Sequence, residues 1–401
     1  MNDLQQEALN CVEVGANVFL TGCPGTGKTY CLNEIIRHCR QKTANIGVTA
    51  ATGCASVLLN GSTLHSFLSV GLAKQPAGDL YDKLVSQYYP AKVEKCKQLR
   101  QLRTLIIDEI SMINAELLQK VSDYLKLLKR SDLPFGGVQM ILVGDFYQLP
   151  PVSGKFCFEA AVWQEADLFT VVLEEQMRQI GDVVFKDILG RARTGNVSTE
   201  DLQTLASCKG AEGEVKYTKL YSLNVNVDDI NGAEMKKLMR QTPRPECRKF
   251  KIDNKDSILL CIGAQVMITR NIDTEGGIVN GTRGVVKSFL RMDNKYCIGL
   301  TLVDGREHFL SEYEFRDDET EQILYVAMPV KLAWAMTIHK SQGSTIDCLE
   351  IDLGSSVFAP GQAYTGLSRA VSLDRVRITD ISPQAFKVSR KVEKFYEGLA
   401  M

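Results

Sequence analysis

Residues Gly22-Cys23-Pro24-Gly25-Thr26-Gly27-Lys28-Thr29 combine types that suit the grip of a phosphate chain. Glycines let consecutive backbone N–H groups curl around an anion, the lysine reaches the outer phosphates, and the hydroxyl beside it can ligate Mg²⁺. The apolar Val18-Phe19-Leu20 run before the loop reads as a buried strand. Residues 30–40 after it read as a helix whose positive N-terminal end faces the same anion. A glycine-rich turn without a ligand is the plain alternative, and the flanking elements argue against it. The expected ligand is a nucleoside triphosphate, ATP, held by Gly22 through Thr29 with Mg²⁺ on Thr29.

Three further groups of residues could act on that ligand. Asp108-Glu109 closes the apolar run Leu105-Ile106-Ile107, and the carboxyl end of a strand is where open α/β sheets bind ligands. There Asp108 would hold Mg²⁺ through water, and Glu109 would orient or deprotonate the attacking water. A solvated surface pair is the competing reading. Gln148, in Gly144-Asp145-Phe146-Tyr147-Gln148-Leu149-Pro150-Pro151, can hydrogen-bond both a γ-phosphate and a water, although the prolines also suit a plain turn. Transition-state charge calls for arginine. Arg178 and Arg369 are candidates, but with 47 Lys and Arg residues the residue type alone selects neither.

Positioning these groups needs a parallel sheet. Ile46-Gly47-Val48-Thr49, Leu105–Asp108 and Met140-Ile141-Leu142-Val143 are β-rich runs without alternation, the pattern of strands covered on both faces. A polar insertion at about 68–98 interrupts the series. Between 245 and 325 short strand candidates are punctuated by Asn280-Gly281 and Asp304-Gly305, both tight-turn signals. That stretch reads as a small antiparallel barrel. Strand and helix alternation then resumes with Leu349-Glu350-Ile351 and Val376-Arg377-Ile378. The 401 residues allow roughly two or three domains. No run of about 18 apolar residues occurs and the first residues lack a secretory pattern, so neither a membrane span nor a secretory signal is expected. A net charge of −1 means that any grip on a polyanion must come from a local groove. Twelve cysteines without a C-x₂-C pair favour free thiols in a reducing compartment over zinc or a disulfide framework.

Taken in order, these blocks resemble the superfamily-one helicases of the 5′-to-3′ branch, and within it the PIF (petite integration frequency) DNA helicases. The resemblance is carried by Leu4-Gln5 before the P-loop, Val48–Gly53, Ser62–Phe67, Ile107–Met112, Pro134–Gln139 and Gly144–Val152. It continues through Val279–Gly284, Leu332–Gly343 and Gly361–Ala370. The implied fold is α/β: two RecA-like P-loop domains with parallel sheets, spanning 1–175 and 176–244 plus 326–401, with an SH3-like β-barrel insertion at 245–325. Residue by residue, the resemblance makes Gln5 the reader of adenine and Gln148 the γ-phosphate sensor. Arg178 and Arg369 become arginine fingers, and Gln342 with Gly343 joins the ATP site. Where the family more often has Ala and Ser, this P-loop has Cys23-Pro24 and Thr29.

A motor of this kind also needs a track for a single strand. Thr49, Thr52, Thr63 and His65 on the first lobe and Thr337, His339 and Lys340 on the second are short or basic donors near strand ends, with Tyr364 added by the resemblance. Capping and turn chemistry explains threonines equally well. A strand-separating wedge is expected in the 68–98 insertion. The implied activity is ATP-dependent, 5′-to-3′ translocation on single-stranded DNA with unwinding of 5′-tailed duplexes by a monomer, inside the cell at sites of DNA metabolism. G-quadruplexes and RNA–DNA hybrids are further substrates of the family. A RecD-like translocase that unwinds only within a complex and a non-catalytic nucleotide switch are the competing functions.

Overall fold

The apolar runs that precede the motifs become neighbouring strands of one sheet in the computed structural model. It describes residues 1–399 apart from 44, 87–89, 176–180, 211–215, 223–226, 242–245, 254–255, 271, 274–275, 277, 293–294 and 317–322. The first sheet is formed by β1 (Val18–Gly22), β2 (Ile46–Ala50), β3 (Ser62–Thr63), β4 (Thr104–Asp108), β5 (Gln139–Val143) and β6 (Phe169–Leu173). Every pairing is parallel, in the order β3-β2-β4-β5-β1-β6. Leu105, Ile106 and Ile107 on β4 are fully buried, each side chain contributing about 1.5–3 kcal/mol. Because β5 lies between β4 and β1, the loops after all three open side by side at one sheet edge.

The insertion expected to be polar is partly a core element. Its helices Ala77–Val85 and Pro90–Gln101 bury Leu80, Leu84, Cys96 and Leu99. Lys120 Nζ donates to the Ala73 carbonyl at 2.5 Å, tying the insertion to the helix Ala115–Lys129.

The second lobe repeats the parallel design with Ala335–Thr337, Thr218–Tyr221, Leu349–Leu353 and Val376–Ile381, in that spatial order. Between its strands sits an antiparallel five-stranded sheet with two hairpins, Cys247–Lys251 with Ser257–Cys261 and Tyr313–Arg316 with Ile323–Ala327. The strand Val330–Leu332 pairs with Gln265–Ile268, so this β-module reaches past residue 325. Arg283 is fully buried and donates to the carbonyls of Cys348 (2.8 Å) and Lys216, fixing the module to the second lobe. Burial pushes its guanidinium down to about 10.

One expectation about the cysteines is corrected. Cys247 and Cys261 face each other across a hairpin and form a disulfide. Residues 14 apart give no sequence cue to such a pair; strand register creates it. Cys11, Cys23, Cys31, Cys39, Cys96, Cys157, Cys208, Cys297 and Cys348 are free. Among the described residues no helix is long and apolar enough to cross a membrane.

Candidate ATP cleft and nucleic-acid track

The P-loop leaves β1 through a strand end that only glycine tolerates. Gly22 has φ +145°, and a Cβ there would lie 2.4 Å from the Leu173 carbonyl oxygen. At Gly27, φ is +80° and a Cβ would meet Gln5 Nε2 at 2.7 Å, so the Gln5 amide packs on the loop. Gln5 is buried and shares a reciprocal cap with Asn2: its Oε1 accepts from the Asn2 N–H at 3.1 Å, and its own N–H donates to Asn2 Oδ1 at 2.9 Å. Pro24 is buried, Cys23 and Gly25 are half-buried, and the Thr26 hydroxyl closes the loop onto the Cys23 carbonyl at 2.8 Å. Lys28 starts the helix Lys28–Lys42, and its ammonium donates to the carbonyls of Gly22 (2.7 Å) and Cys23 (2.9 Å). Desolvation lowers its pKa, opposed by the charges of Asp145 and Glu109.

Asp108 and Glu109 leave β4 beside that lysine. The Glu109 N–H donates to Asp108 Oδ1 at 2.9 Å. Desolvation, then the adjacent Glu109 charge, pushes the Asp108 carboxyl up to about 7. A divalent cation would relieve both penalties, and Mg²⁺ sites commonly use one or two carboxylates together with substrate phosphates. The donor set of Asp108 and the exposed Thr29 hydroxyl therefore fits Mg²⁺, which when bound would neutralise charge developing on the phosphates. Glu109 adopts the left-handed region (φ 54°, ψ 44°), a conformation costing about 1–3 kcal/mol for a non-glycine residue.

The second lobe closes on these groups. Gln342 Nε2 donates to Glu109 Oε2 at 2.8 Å, while Gln342 Oε1 is buried without a partner. Gly343 turns away at φ +80°. Arg369 is almost fully buried, donates to the Thr365 carbonyl (3.0 Å) and Ser368 Oγ (2.9 Å), and stands 3.5 Å from Gln148 Oε1. Its pKa is lowered by burial and raised in turn by Glu109. Lys28, Glu109, Gln148, Gln342 and Arg369 thus converge, although residues 28 and 369 lie on different lobes. Arg178 falls outside the described residues.

The track candidates divide. Thr49 is fully buried, with its hydroxyl on the Ile106 carbonyl at 2.6 Å, so it faces the sheet interior and not a ligand. Tyr364 is buried too, its hydroxyl 3.2 Å from Asp145 Oδ2. Neither burial shows in the sequence, because periodicity does not tell which face of a doubly covered element is turned outward. The remaining threonines do cap helices. Thr52 accepts from the Ala55 N–H (3.2 Å), Thr63 from Ser66 (3.3 Å) and Thr337 from Lys340 (3.1 Å). Capping uses a lone pair and leaves each O–H free to donate to a phosphate, so the two readings are compatible. The lobes repeat one device, an edge strand ending in a capping threonine followed two residues later by histidine: Thr63 with His65, Thr337 with His339. Both histidines are half-buried, and desolvation lowers their pKa. Lys340 is exposed.

Sequence reasoning missed the charge pair beneath the loop that carries Gln148. Asp145 is fully buried, and Arg193 meets it through two N–H donors at 3.0 and 3.1 Å. Asp145, two residues after an apolar strand, was the available signal, since a buried carboxylate demands a donor.

Comparison with known proteins agrees with this geometry. Residues 1–202 match the PIF1-like helicase family, and residues 255–289 match the 2B domain of DNA helicase Pif1. The chain is 35% identical over 419 residues to the ATP-dependent DNA helicase PIF1 of Danio rerio, covering 98% of this chain and 63% of that protein. It therefore spans just under two thirds of that relative's length. Among solved structures, the Pif1 helicase of Candida albicans superposes with a TM-score of 0.79 at 32% identity, covering 100% of this chain and 99% of the other. The Bacteroides sp Pif1 complex with ADP-AlF4 gives 0.79 at 28% identity, covering 100% and 97%. A triphosphate loop, a carboxylate pair and a second lobe closing over both are thus set in the fold of known Pif1 proteins, and the chain belongs to the PIF1-like helicase family.

Proposed function

We propose that this chain is an ATP-driven DNA motor that moves 5′ to 3′ along a single strand and unwinds 5′-tailed duplexes as a monomer. The observation that carries the reading is the split of the ATP cleft: Lys28, Asp108 and Glu109 stand on the first lobe, whereas Gln342 and Arg369 come from the second. A nucleotide bound there is clamped from both sides, and cleaving it releases the clamp. Arg369 supplies positive charge to the γ-phosphate, Gln148 senses it, and Glu109 takes a proton from the attacking water. Thr52, Thr63 and His65 grip one stretch of DNA and Thr337, His339 and Lys340 the next, so a change in lobe separation becomes a step along the strand. The relatives' names support this assignment: the Danio rerio protein is called an ATP-dependent DNA helicase, and a Bacteroides relative binds ADP-AlF4. Sites of DNA metabolism are the corresponding place of action.

The decisive experiment is Arg369→Ala in the purified chain. DNA-stimulated ATP turnover should fall at least about a hundredfold, while ATP affinity changes little. Unchanged turnover would remove Arg369 from the mechanism. Unwinding of a 5′-tailed but not a 3′-tailed duplex by the isolated chain tests the polarity and autonomy directly.

A further inference from the structure

The helix Arg390–Leu399 follows the second lobe's final strand, yet it packs against the first lobe. Its apolar grip is Phe395, which stacks on Phe158 (centroids 4.3 Å apart) and meets Phe146 edge-on at 5.2 Å. The next residue, Tyr396, does something that packing does not require. Its ring stacks on Tyr147 at 4.8 Å with an interplanar angle of 14°. Its hydroxyl is turned inward, 2.7 Å from Thr21 Oγ1, 3.1 Å from the Phe146 N–H and 3.3 Å from Asp145 Oδ1. Thr21 is the residue of β1 immediately before the P-loop, and Asp145 and Phe146 open the loop that carries Gln148.

The proton inventory closes in one way. The Asp145 carboxylate, paired with Arg193, only accepts, so Tyr396 donates its single proton there. The phenol oxygen then accepts from the Phe146 N–H and from the Thr21 hydroxyl. Around Asp145 the donors are Arg193, Tyr364, Tyr396 and the Tyr147 N–H. Three of these four come from elements beyond residue 182, and Arg193 also lies over the Tyr147 ring at 4.4 Å. Among the described residues, the carboxylate of Asp145 accepts nothing from its own lobe except that backbone group. Its carbonyl in turn receives the Gln148 N–H at 3.0 Å, closing the turn that presents Gln148. A phenylalanine at 396 could stack on Tyr147 without placing a hydroxyl in a partly buried site, where an unsatisfied polar group is costly.

We infer that Tyr396 is a positioning residue for ATP cleavage: its hydroxyl locks the strand that feeds the P-loop to the loop that carries the sensor Gln148. The inference rests on the ATP-motor reading above and adds a residue and an element to it. The helix Arg390–Leu399 belongs to the ATPase, with Phe395 supplying adhesion and the Tyr396 hydroxyl supplying register.

The test is Tyr396→Phe, which keeps the stacked ring and the apolar seat. In the full chain with single-stranded DNA, kcat for ATP should fall at least about threefold while KM for ATP stays within about twofold. In a Gln148→Ala background the same substitution should change kcat by less than about twofold, because the group being positioned is gone. A drop in kcat smaller than threefold, a parallel change in KM, or an equal drop in both backgrounds would overturn the inference. A wild-type chain that hydrolyses no ATP would instead overturn the motor reading, so the two failures are told apart.

Discussion

At the scale of single residues, the cleft holds its reactive groups in conformations that cost energy and are offset by neighbours. Glu109 sits in the left-handed region one residue after a buried strand, and Gln342 from the other lobe holds its carboxylate at 2.8 Å. Replacing Glu109 by Gln preserves size and the hydrogen bond to Gln342 but removes the carboxylate proposed as the base. ATP turnover should then drop at least about a hundredfold with nucleotide affinity nearly unchanged, measured by steady-state hydrolysis beside binding of a fluorescent ADP analogue. Gly27 makes a steric prediction. A methyl group there meets Gln5 Nε2 at 2.7 Å on a backbone at φ +80°, so Gly27→Ala should lower ATP affinity at least about tenfold, roughly 1.4 kcal/mol. Isothermal titration of the purified variant reads this directly, and wild-type affinity would remove the close approach as a constraint.

At the scale of elements, two short helices carry the proposed track. Leu64–Phe67 and Ile338–Ser341 are each a single turn, too short to be stable alone, and each depends on its threonine cap. Thr337→Val removes both the cap acceptor and the free O–H donor, whereas Thr337→Ser keeps both. Single-stranded DNA affinity should fall about tenfold for valine and return to near wild type for serine, since a cap alone is worth ~1 kcal/mol. Fluorescence anisotropy with a labelled oligonucleotide decides it; equal affinities would leave Thr337 a purely structural cap. Lys340 contributes differently, as an exposed point charge. Lys340→Ala should lower the slope of log affinity against log salt by about one without changing base preference.

At the scale of the molecule, the β-module is held to the second lobe by a buried cation beside an apolar seam, in which Met235, Leu238 and Trp334 pack with Phe250 and Val266. Arg283 donates to the carbonyls of Lys216 and Cys348, and Gln265 Nε2 adds bonds to Lys216 (2.8 Å) and Ala333 (3.0 Å). Arg283→Ala takes one donor from each carbonyl, which keep the Gln265 amide and the Thr218 N–H, and leaves a cavity where a fully buried side chain stood, so a loss of about 3 kcal/mol is expected, seen as a lower thermal midpoint. A variant as stable as wild type would show that the module is anchored elsewhere.

The chemistry of the ATP site was legible in the sequence because phosphate recognition is local. Eight contiguous residues supply the backbone donors, the lysine and the hydroxyl, and the strands before Asp108 and Gly144 are uninterrupted apolar runs. The order of the motifs along the chain is itself enough to point to the family. What the tertiary structure alone decided is which residues meet and which face they show. Thr49 turned out to point into the sheet, Tyr364 to bind Asp145, and Cys247 to pair with Cys261. Contacts such as Thr21 with Tyr396, 375 residues apart, and Glu109 with Gln342, 233 apart, have no local signature. They exist because two sheets and a returning helix pack around one cleft, and a single sequence encodes that packing only through the fold as a whole.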